Sequence, residues 1–344
     1  GELKRENIYK SVKKILAAKY DVGLANYKPL KVQGIVKRIN TPEAEILKKK
    51  LLEKSVTIIE NQEEILPFNN LERYAFASLT IGLGKGNTFQ NFLGKYAPFT
   101  HHQLDSWGNS QAELTQMMNK LKNYNMVVVG LHGVTNSSKN NHGISSAEIA
   151  MLRELQKTTK VVAVVFGNPY SIRYTLGIEH LVCAYEDNET SRQLAPQILF
   201  GAMPAYGKLP VSPSPVYPVG WGFETAFLGR LFYTLPEEAG MDSNTLNKID
   251  EIVKEAIRDR ATPGAQVLVA RKGAVVYSKN FGYTDYEKKR EVTDETIYDV
   301  ASLTKVLGTL QGIMFLHERG LVSLDGRIQD YLPELRTRNK GGLI

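Results

Sequence analysis

Hydrophobic and polar positions follow different periods in successive parts of the chain. Over residues 8–20, Val12, Ile15 and Leu16 fall at helical spacing among lysines, which predicts an amphipathic helix ending near Gly23. Residues 25–40 show no period and read as a loop. Thr41 followed by Pro42 supplies an N-cap and a proline at the first helical position, so a second helix starts there, with Ile46, Leu47 and Leu51 among its lysines. Unbroken apolar runs then alternate with helical stretches. Residues 56–60, 74–82, 126–130, 160–167 and 179–185 read as strands, and 111–123, 144–157 and 190–200 as helices. Strands without polar alternation are buried on both faces. The expected fold is therefore α/β: a mostly parallel three-layer sandwich over residues 41–213.

The pattern changes after that. Four of the fourteen prolines fall between residues 210 and 218, which marks 214–240 as a linker. Residues 242–260 then form a helix pattern with Leu246, Ile249, Ile252, Val253 and Ile257 on one face. Residues 265–270 and 274–280 flank Arg271-Lys272-Gly273 as a hairpin, and 301–319 reads as one long apolar helix stopped by Gly320. This is the opening of an α+β region over 241–344. A length of 344 residues agrees with more than one core.

Composition removes several function classes. Hydrophobic residues at 42% and charged residues at 23% describe a folded chain. No apolar run is long enough to span a membrane. One cysteine, Cys183, rules out a disulfide framework or a cysteine-built zinc site and reads as a small core residue. The net charge of +7 is concentrated at the start, where residues 1–54 hold fourteen Lys or Arg against six Asp or Glu. Those lysines sit between helical apolar positions without interleaved aromatics, so they read as solvated helix faces and no nucleic-acid partner is expected.

The strongest chemical signal is Ser302-Leu303-Thr304-Lys305. On a helix the i and i+3 side chains lie one above the other, so the lysine reaches the hydroxyl and can act as the base that a serine nucleophile needs. At a helix start the serine would also sit among free backbone N–H groups able to hold an oxyanion; the competing reading is a simple helix cap. Ser11-Val12-Lys13-Lys14 has the same spacing but lies within a basic surface helix. Gly82-Leu83-Gly84-Lys85-Gly86-Asn87 lacks the third glycine of a dinucleotide loop and the Gly-Lys-Ser/Thr of a phosphate loop, so it reads as a strand-to-helix turn. His101, His102, His132 and His142 have no ligand spacing and read as loop histidines. No metal and no cofactor are expected.

From Met241 onward the order is a helix, Thr262-Pro263-Gly264-Ala265, the hairpin, Phe281-Gly282-Tyr283, and Tyr298-Asp299-Val300-Ala301-Ser302-Leu303-Thr304-Lys305. Leu316-His317-Glu318-Arg319-Gly320 and Leu324-Asp325-Gly326 follow. This resembles the opening third of a serine β-lactamase or D,D-peptidase domain of the class C type. The resemblance implies Ser302 as the acyl-enzyme nucleophile and Lys305 as its partner in proton transfer. That family also uses a Tyr-x-Asn segment and a Lys/His-Thr/Ser-Gly strand. Neither occurs in the chain, so the region reads as the truncated start of such a domain and the pair is expected to be nearly inert here.

The sandwich resembles another family. Val56-Thr57-Ile58-Ile59 with Ile65-Leu66-Pro67, then Val164-Val165-Phe166-Gly167-Asn168-Pro169-Tyr170, Ala184-Tyr185-Glu186, and Ile198-Leu199-Phe200-Gly201-Ala202 running to Gly207-Lys208-Leu209-Pro210-Val211-Ser212 are similar to the C-terminal sandwich domain of glycoside hydrolase family 3. The resemblance makes residues 1–40 an exit helix and linker from a (β/α)8 barrel that the chain lacks. In that family the nucleophile is an Asp on the barrel. The β-glucosidase branch takes its acid from a sandwich loop, which here is residues 131–143 and holds no carboxylate; the nearest, Glu148, is expected on a solvated helix face. The pattern is closer to the β-N-acetylglucosaminidase branch, so the chain is expected to contain neither the glycosidase nucleophile nor its acid/base. Together the two resemblances imply a fragment of a hydrolase of O-glycosyl bonds fused to a serine hydrolase region and active in peptidoglycan metabolism. Its partners would be an N-acetylglucosamine-containing glycan, a muropeptide and the missing barrel, in a bacterial periplasmic or other extracytoplasmic compartment. The alternative is a non-catalytic carbohydrate-binding or structural interaction module.

Overall fold

The computed structural model describes residues 4–84 and 86–337. The chain divides into two compact units, residues 1–249 with 268–278, and residues 250–267 with 279–344.

The first unit opens with α1 (Arg5–Asp21) and the short α2 (Ile35–Ile39), all of whose described residues are at the surface. Thr41 caps α3 (Pro42–Ser55), its side chain accepting from the Ala44 N–H. Then come β1 (Thr57–Asn61), β2 (Phe76–Ile81), α4 (Thr88–Gly94), β3 (Phe99–Leu104), α5 (Gln111–Leu121), β4 (Met126–Leu131), α6 (Ser146–Leu155), β5 (Lys160–Val165), β6 (His180–Cys183) and α7 (Glu189–Leu199). The strands form one six-stranded sheet in the order β1-β6-β5-β4-β2-β3, parallel except for β1, which runs antiparallel to β6.

Alternation along each strand divides the core in two. Val127, Val129 and Leu131 of β4 face Leu114 and Leu121 of α5 and Leu152 and Leu155 of α6. Met126 and Val128 face Phe89 and Leu93 of α4 and Leu194 and Ile198 of α7. Helices therefore cover both faces, which is why these strands are apolar at consecutive positions. This is the α/β sandwich that the pattern predicts.

Three expectations are corrected. β3 and α4 lie between residues 83 and 110, where the pattern gives no bounded element beyond the turn into a helix at 82–87: β3 is an edge strand whose Thr100 and His101 are exposed, so it carries no apolar run. Residues 214–240 do not behave as a free linker. Phe223 N–H donates to Ile58 O at 2.8 Å and the Trp221 indole to Ile59 O at 2.9 Å, fastening the arm along the open edge of β1. Farther on, β7 (Phe232–Tyr233) pairs with Ala274 and Val275, and Lys49, buried, holds Glu238 at 3.0 Å. The short α8 (Ser243–Leu246) follows, and α9 (Lys248–Arg258) begins in this unit.

The hairpin β8 (Gly264–Arg271) and β9 (Ala274–Gly282) turns at Lys272 and Gly273, with φ of 53° and 79°, the two-residue geometry whose twist matches paired strands. In the second unit, Lys279 pairs with Asp250 at 2.9 Å, and the Tyr286 hydroxyl donates to Arg260 O. The third correction lies here, since the long helix expected over 301–319 is broken. Ala301–Leu303 is a 3₁₀ turn, Lys305–Leu310 is π-wound, and only α10 (Gln311–Glu318) is α-helical, with α11 (Ile328–Tyr331) after it. Val306, Gly308 and Thr309 all weaken α-helix at the irregular stretch.

Candidate active site

Ser302 lies in the 3₁₀ turn, held by local geometry. Ala301 has φ 41°, an uncommon left-handed conformation for alanine, and its N–H donates to Asp299 Oδ1 at 2.8 Å. Two residues past the turn of Ala301–Leu303, Lys305 opens the wide π turn, and its Nζ donates to Ser302 Oγ at 2.9 Å. Both side chains are exposed. Ser302 makes no cap hydrogen bond, because the turn has none from a side chain. The helix-start position expected for the serine is therefore replaced by a turn whose hydroxyl is directed at the lysine. Leu303, Val306 and Leu307 beside the pair are also exposed. Tyr298 and Asp299, just upstream, line a cavity of about 630 Å³ with Pro263, Gly264 and Arg290. Chemically, a hydroxyl in contact with an amine is the minimum arrangement for serine acyl transfer.

The sandwich places a second polar group where the loop histidines are expected. His132 directly follows β4 and is fully buried, as is His142 nearly so; His101 and His102 lie on strand β3. His101 and His102 are strand residues because the sheet extends one strand farther, whereas His132 and His142 do lie in the loop after β4, which folds inward and buries them. His132 Nδ1 donates to Asp187 Oδ1 at 2.9 Å. Arg192 Nε donates to the same oxygen at 2.8 Å and Gly133 N–H to Oδ2 at 3.1 Å. Burial lowers the His132 pKa against the pull of Asp187, so the ring is neutral. Burial would raise the Asp187 carboxyl, but the donors from His132, Arg192 and Gly133 outweigh it and hold it at about 2. The ring stacks on Phe166 at 4.4 Å, and Nε2, without a partner, stands 2.6 Å from where a Gly130 Cβ would be. An imidazole in this position is a structural clamp between the ends of β4 and β6. Neither Asp187 nor Arg192 carries a local signal; they meet His132 only through the tertiary fold.

Glu148 is not on a solvated face. It is fully buried, and Oε1 accepts from Gly108 N–H, Asn109 N–H and Asn109 Nδ2, each at 2.8 Å. Burial pushes its pKa up, yet hydrogen bonds from Ser145 and then Asn109 outweigh it and hold the carboxyl below its ordinary value. In an open parallel sheet a ligand enters where the strand order reverses, here between the carboxyl ends of β2 and β4. Trp107 fills that place: its indole N–H donates to His132 O at 2.8 Å and abuts Gly82. The glycine segment after β2 is a strand-to-helix turn, and Asn87 caps α4 with its own side chain; Lys85 of that segment lies outside the described residues. Ser78 and His101 approach at 2.7 Å, but Ser78 is fully buried and also accepts from Gln90 Nε2, so no substrate reaches it. Cys183 is buried in β6, its thiol pushed up to about 12. Among the described residues no three His, Cys, Asp or Glu side chains converge as a metal site, and no helix is long and apolar enough to cross a membrane.

Comparison with known proteins bears on the stretch around Ser302. The family model described as Beta-lactamase matches residues 249–343. The esterase EstB of Burkholderia gladioli is 32% identical over 108 residues, 31% of this chain and 27% of that protein, so the chain spans about a quarter of that relative's length. Among solved structures, a β-glucosidase from Listeria innocua aligns with 64% of this chain and 39% of its own at 16% identity and a TM-score of 0.49. A glycoside hydrolase family 3 β-N-acetylglucosaminidase from Paenibacillus sp. str. FPU-7 aligns with 64% and 41% at 14% identity and a TM-score of 0.42. In sequence, then, the stretch that carries Ser302 and Lys305 is similar to a β-lactamase-family domain.

Proposed function

We propose that residues 249–343 belong to a serine hydrolase acting on an ester or amide, with Ser302 as nucleophile and Lys305 as its proton partner. The observation that carries this is the 2.9 Å contact between Lys305 Nζ and Ser302 Oγ within the matched stretch. With Lys305 neutral, its amine takes the Oγ proton as Oγ bonds to the acyl carbon. The bond to the leaving alcohol or amine then breaks and that group takes up the proton; water reverses the sequence to free the serine. The test is labelling of the full-length protein with a fluorophosphonate, followed by peptide mapping. Label on Ser302, lost in Ser302→Ala and slowed in Lys305→Met, supports the reading; label elsewhere, or equal labelling of both variants, refutes it.

The sandwich is proposed as the scaffold of a glycosidase that resembles family 3. In support, the loop at residues 131–143 holds no carboxylate, while Asp187 and Glu148 nearby are each engaged by three donors. A retaining glycosidase needs a free carboxylate nucleophile and a separate acid/base, and neither of these carboxyls is free to be the nucleophile. This chain is accordingly expected to cleave no aryl glycoside, and the full-length protein to cleave aryl N-acetylglucosaminides. Turnover by this chain that a substitution in 131–143 abolishes would overturn that assignment. Muropeptide is the proposed substrate joining the two chemistries, which would place the protein in the periplasm or another extracytoplasmic space; cell fractionation tests the location.

A further inference from the structure

Ser302 owes its direction to the residue before it. Ala301 sits at φ 41°, where the Cβ of any residue but glycine crowds the following carbonyl, and such a conformation persists only under restraint. Burial does not supply the restraint, since Asp299, Val300, Ala301 and Ser302 are all exposed. Hydrogen bonds do. The peptide plane between Val300 and Ala301 is held at both ends: its C=O accepts from Leu303 N–H at 2.9 Å, and its N–H donates to Asp299 Oδ1 at 2.8 Å. Leu303 closes the turn through the main chain, as any residue but proline would there. Among the described residues, Asp299 supplies the one side chain that grips the plane.

The restraint reaches Lys305. With the plane fixed and φ at 41°, the chain leaves Ala301 in the direction that sets Ser302 Oγ 2.9 Å from Lys305 Nζ. Relaxation of Ala301 to an ordinary negative φ would turn the plane, take its N–H off the carboxylate and swing Ser302 away from the amine. The Asp299 carboxylate makes no other hydrogen bond and no ion pair among the described residues. All of these residues belong to the second unit. We infer that Asp299 is a positioning residue: by pinning Ala301 in the left-handed region it keeps the Ser302 hydroxyl on Lys305, where a proton can pass. This rests on the acyl-transfer assignment and adds a residue to which the Ser-x-x-Lys spacing gives no role.

The test is the rate at which a fluorophosphonate labels Ser302 in the full-length protein, a step in which Oγ bonds to phosphorus, its proton passes to Lys305 and fluoride leaves. Asp299→Ala should slow it about tenfold, the factor that a hydrogen bond of about 1.4 kcal/mol supplies. Asp299 is exposed, so its loss leaves the fold intact, which thermal unfolding checks. Asp299→Asn keeps an acceptor in the same place and should stay within about threefold of the wild type. Glycine takes φ 41° without a Cβ to crowd, so it needs no pin. Measured against Ala301→Gly alone, adding Asp299→Ala should therefore cost less than about threefold. The pH midpoint of labelling should be the same in every variant, because the carboxylate acts through geometry and not through its charge on Lys305. An unlabelled Ser302 in the wild type would refute the acyl-transfer assignment and take this inference with it. With Ser302 labelled, an unchanged rate in Asp299→Ala, an equal loss in Asp299→Asn, an equal cost beside glycine, or a displaced pH midpoint in Asp299→Ala would each overturn the inference alone.

Discussion

Replacing Asp187 by alanine is the sharpest probe of the sandwich interior. The carboxylate accepts three hydrogen bonds: from His132 Nδ1 at 2.9 Å, Arg192 Nε at 2.8 Å and Gly133 N–H at 3.1 Å. The three donors differ in what they can do once it is gone. Gly133 is exposed and its N–H turns to water. The Arg192 side chain is 22% exposed and recovers part of its hydration. His132 is fully buried, stacked on Phe166 and wedged over Gly130, so its Nδ1–H stays unsatisfied. An orphaned buried donor costs about 1–3 kcal/mol, and removing one side of a largely buried ion pair brings the total to about 3–4 kcal/mol. Asp187→Asn keeps an acceptor for the imidazole, so about half that loss is expected. Both tryptophans belong to the first unit, and Trp107 donates to His132 O, so tryptophan fluorescence during urea unfolding reports on this region. A loss of less than about 0.5 kcal/mol in Asp187→Ala would show that the clamp contributes nothing and would refute the assignment of His132 as structural.

Two further outcomes follow from the same core. His180 in β6 is buried, and that burial, reinforced by Lys160, lowers its pKa to about 4 from an ordinary 6.5. Above 6.5 the imidazole is neutral whether the chain is folded or not. Between 6.5 and 4 only the unfolded chain takes up the proton, so stability should fall by about 3 kcal/mol on acidification across that window and by no further His180 contribution below it. His132 acts in the same direction, and urea midpoints at pH 7 and pH 4.5 should show a smaller difference in His180→Gln. In Gly207→Ala the new Cβ would stand 2.3 Å from Val56 O and 2.4 Å from Ser55 O, both backbone atoms. The paired arm beyond residue 205 should detach, costing about 3 kcal/mol or more and exposing Trp221 to acrylamide quenching; an unchanged quenching constant would argue against the strap.

How much of this was legible in the sequence depended on how each group is satisfied. β2, β4, β5 and β6 bury both faces, so their apolar runs stand out; α5 and α6 carry caps and an apolar face, and α7 a cap and a wholly buried second half. β3 escaped because an edge strand needs one buried face at most, and α4 because seven residues barely complete two turns. The arm at 217–233 is rich in proline and glycine, which reads as a linker, yet it is held by backbone and indole hydrogen bonds that no periodicity encodes. Ser302 and Lys305 were found because their spacing is local. Asp187, the partner of His132, lies 55 residues away and Arg192, which shares that carboxylate, 60 away, with only the ends of two strands to bring them together.

Glu148 allows the strongest separation between a scaffold and a site. Its carboxylate sits at the start of α5 among two backbone N–H groups and the Asn109 amide, an arrangement that binds free anions in other settings and is here filled from within. Glu148→Ala removes the elements of acetate from a fully buried position; the Asn109 N–H loses its acceptor, while the exposed Gly108 N–H can turn to water and Asn109 Nδ2 keeps Ser106 O at 2.8 Å. A destabilisation of about 3–5 kcal/mol is expected, from the cavity and the orphaned donor together. If the donors alone define the nest, added acetate should raise the melting temperature of the variant while leaving the wild type unchanged. The gain should grow with the logarithm of concentration once the site begins to fill. Chloride at equal ionic strength controls for screening. Acetate that stabilises both proteins equally would mean that the carboxylate is held by the packing of α6 rather than by the three donors, and the account of how the sandwich consumes its own polar groups would fail.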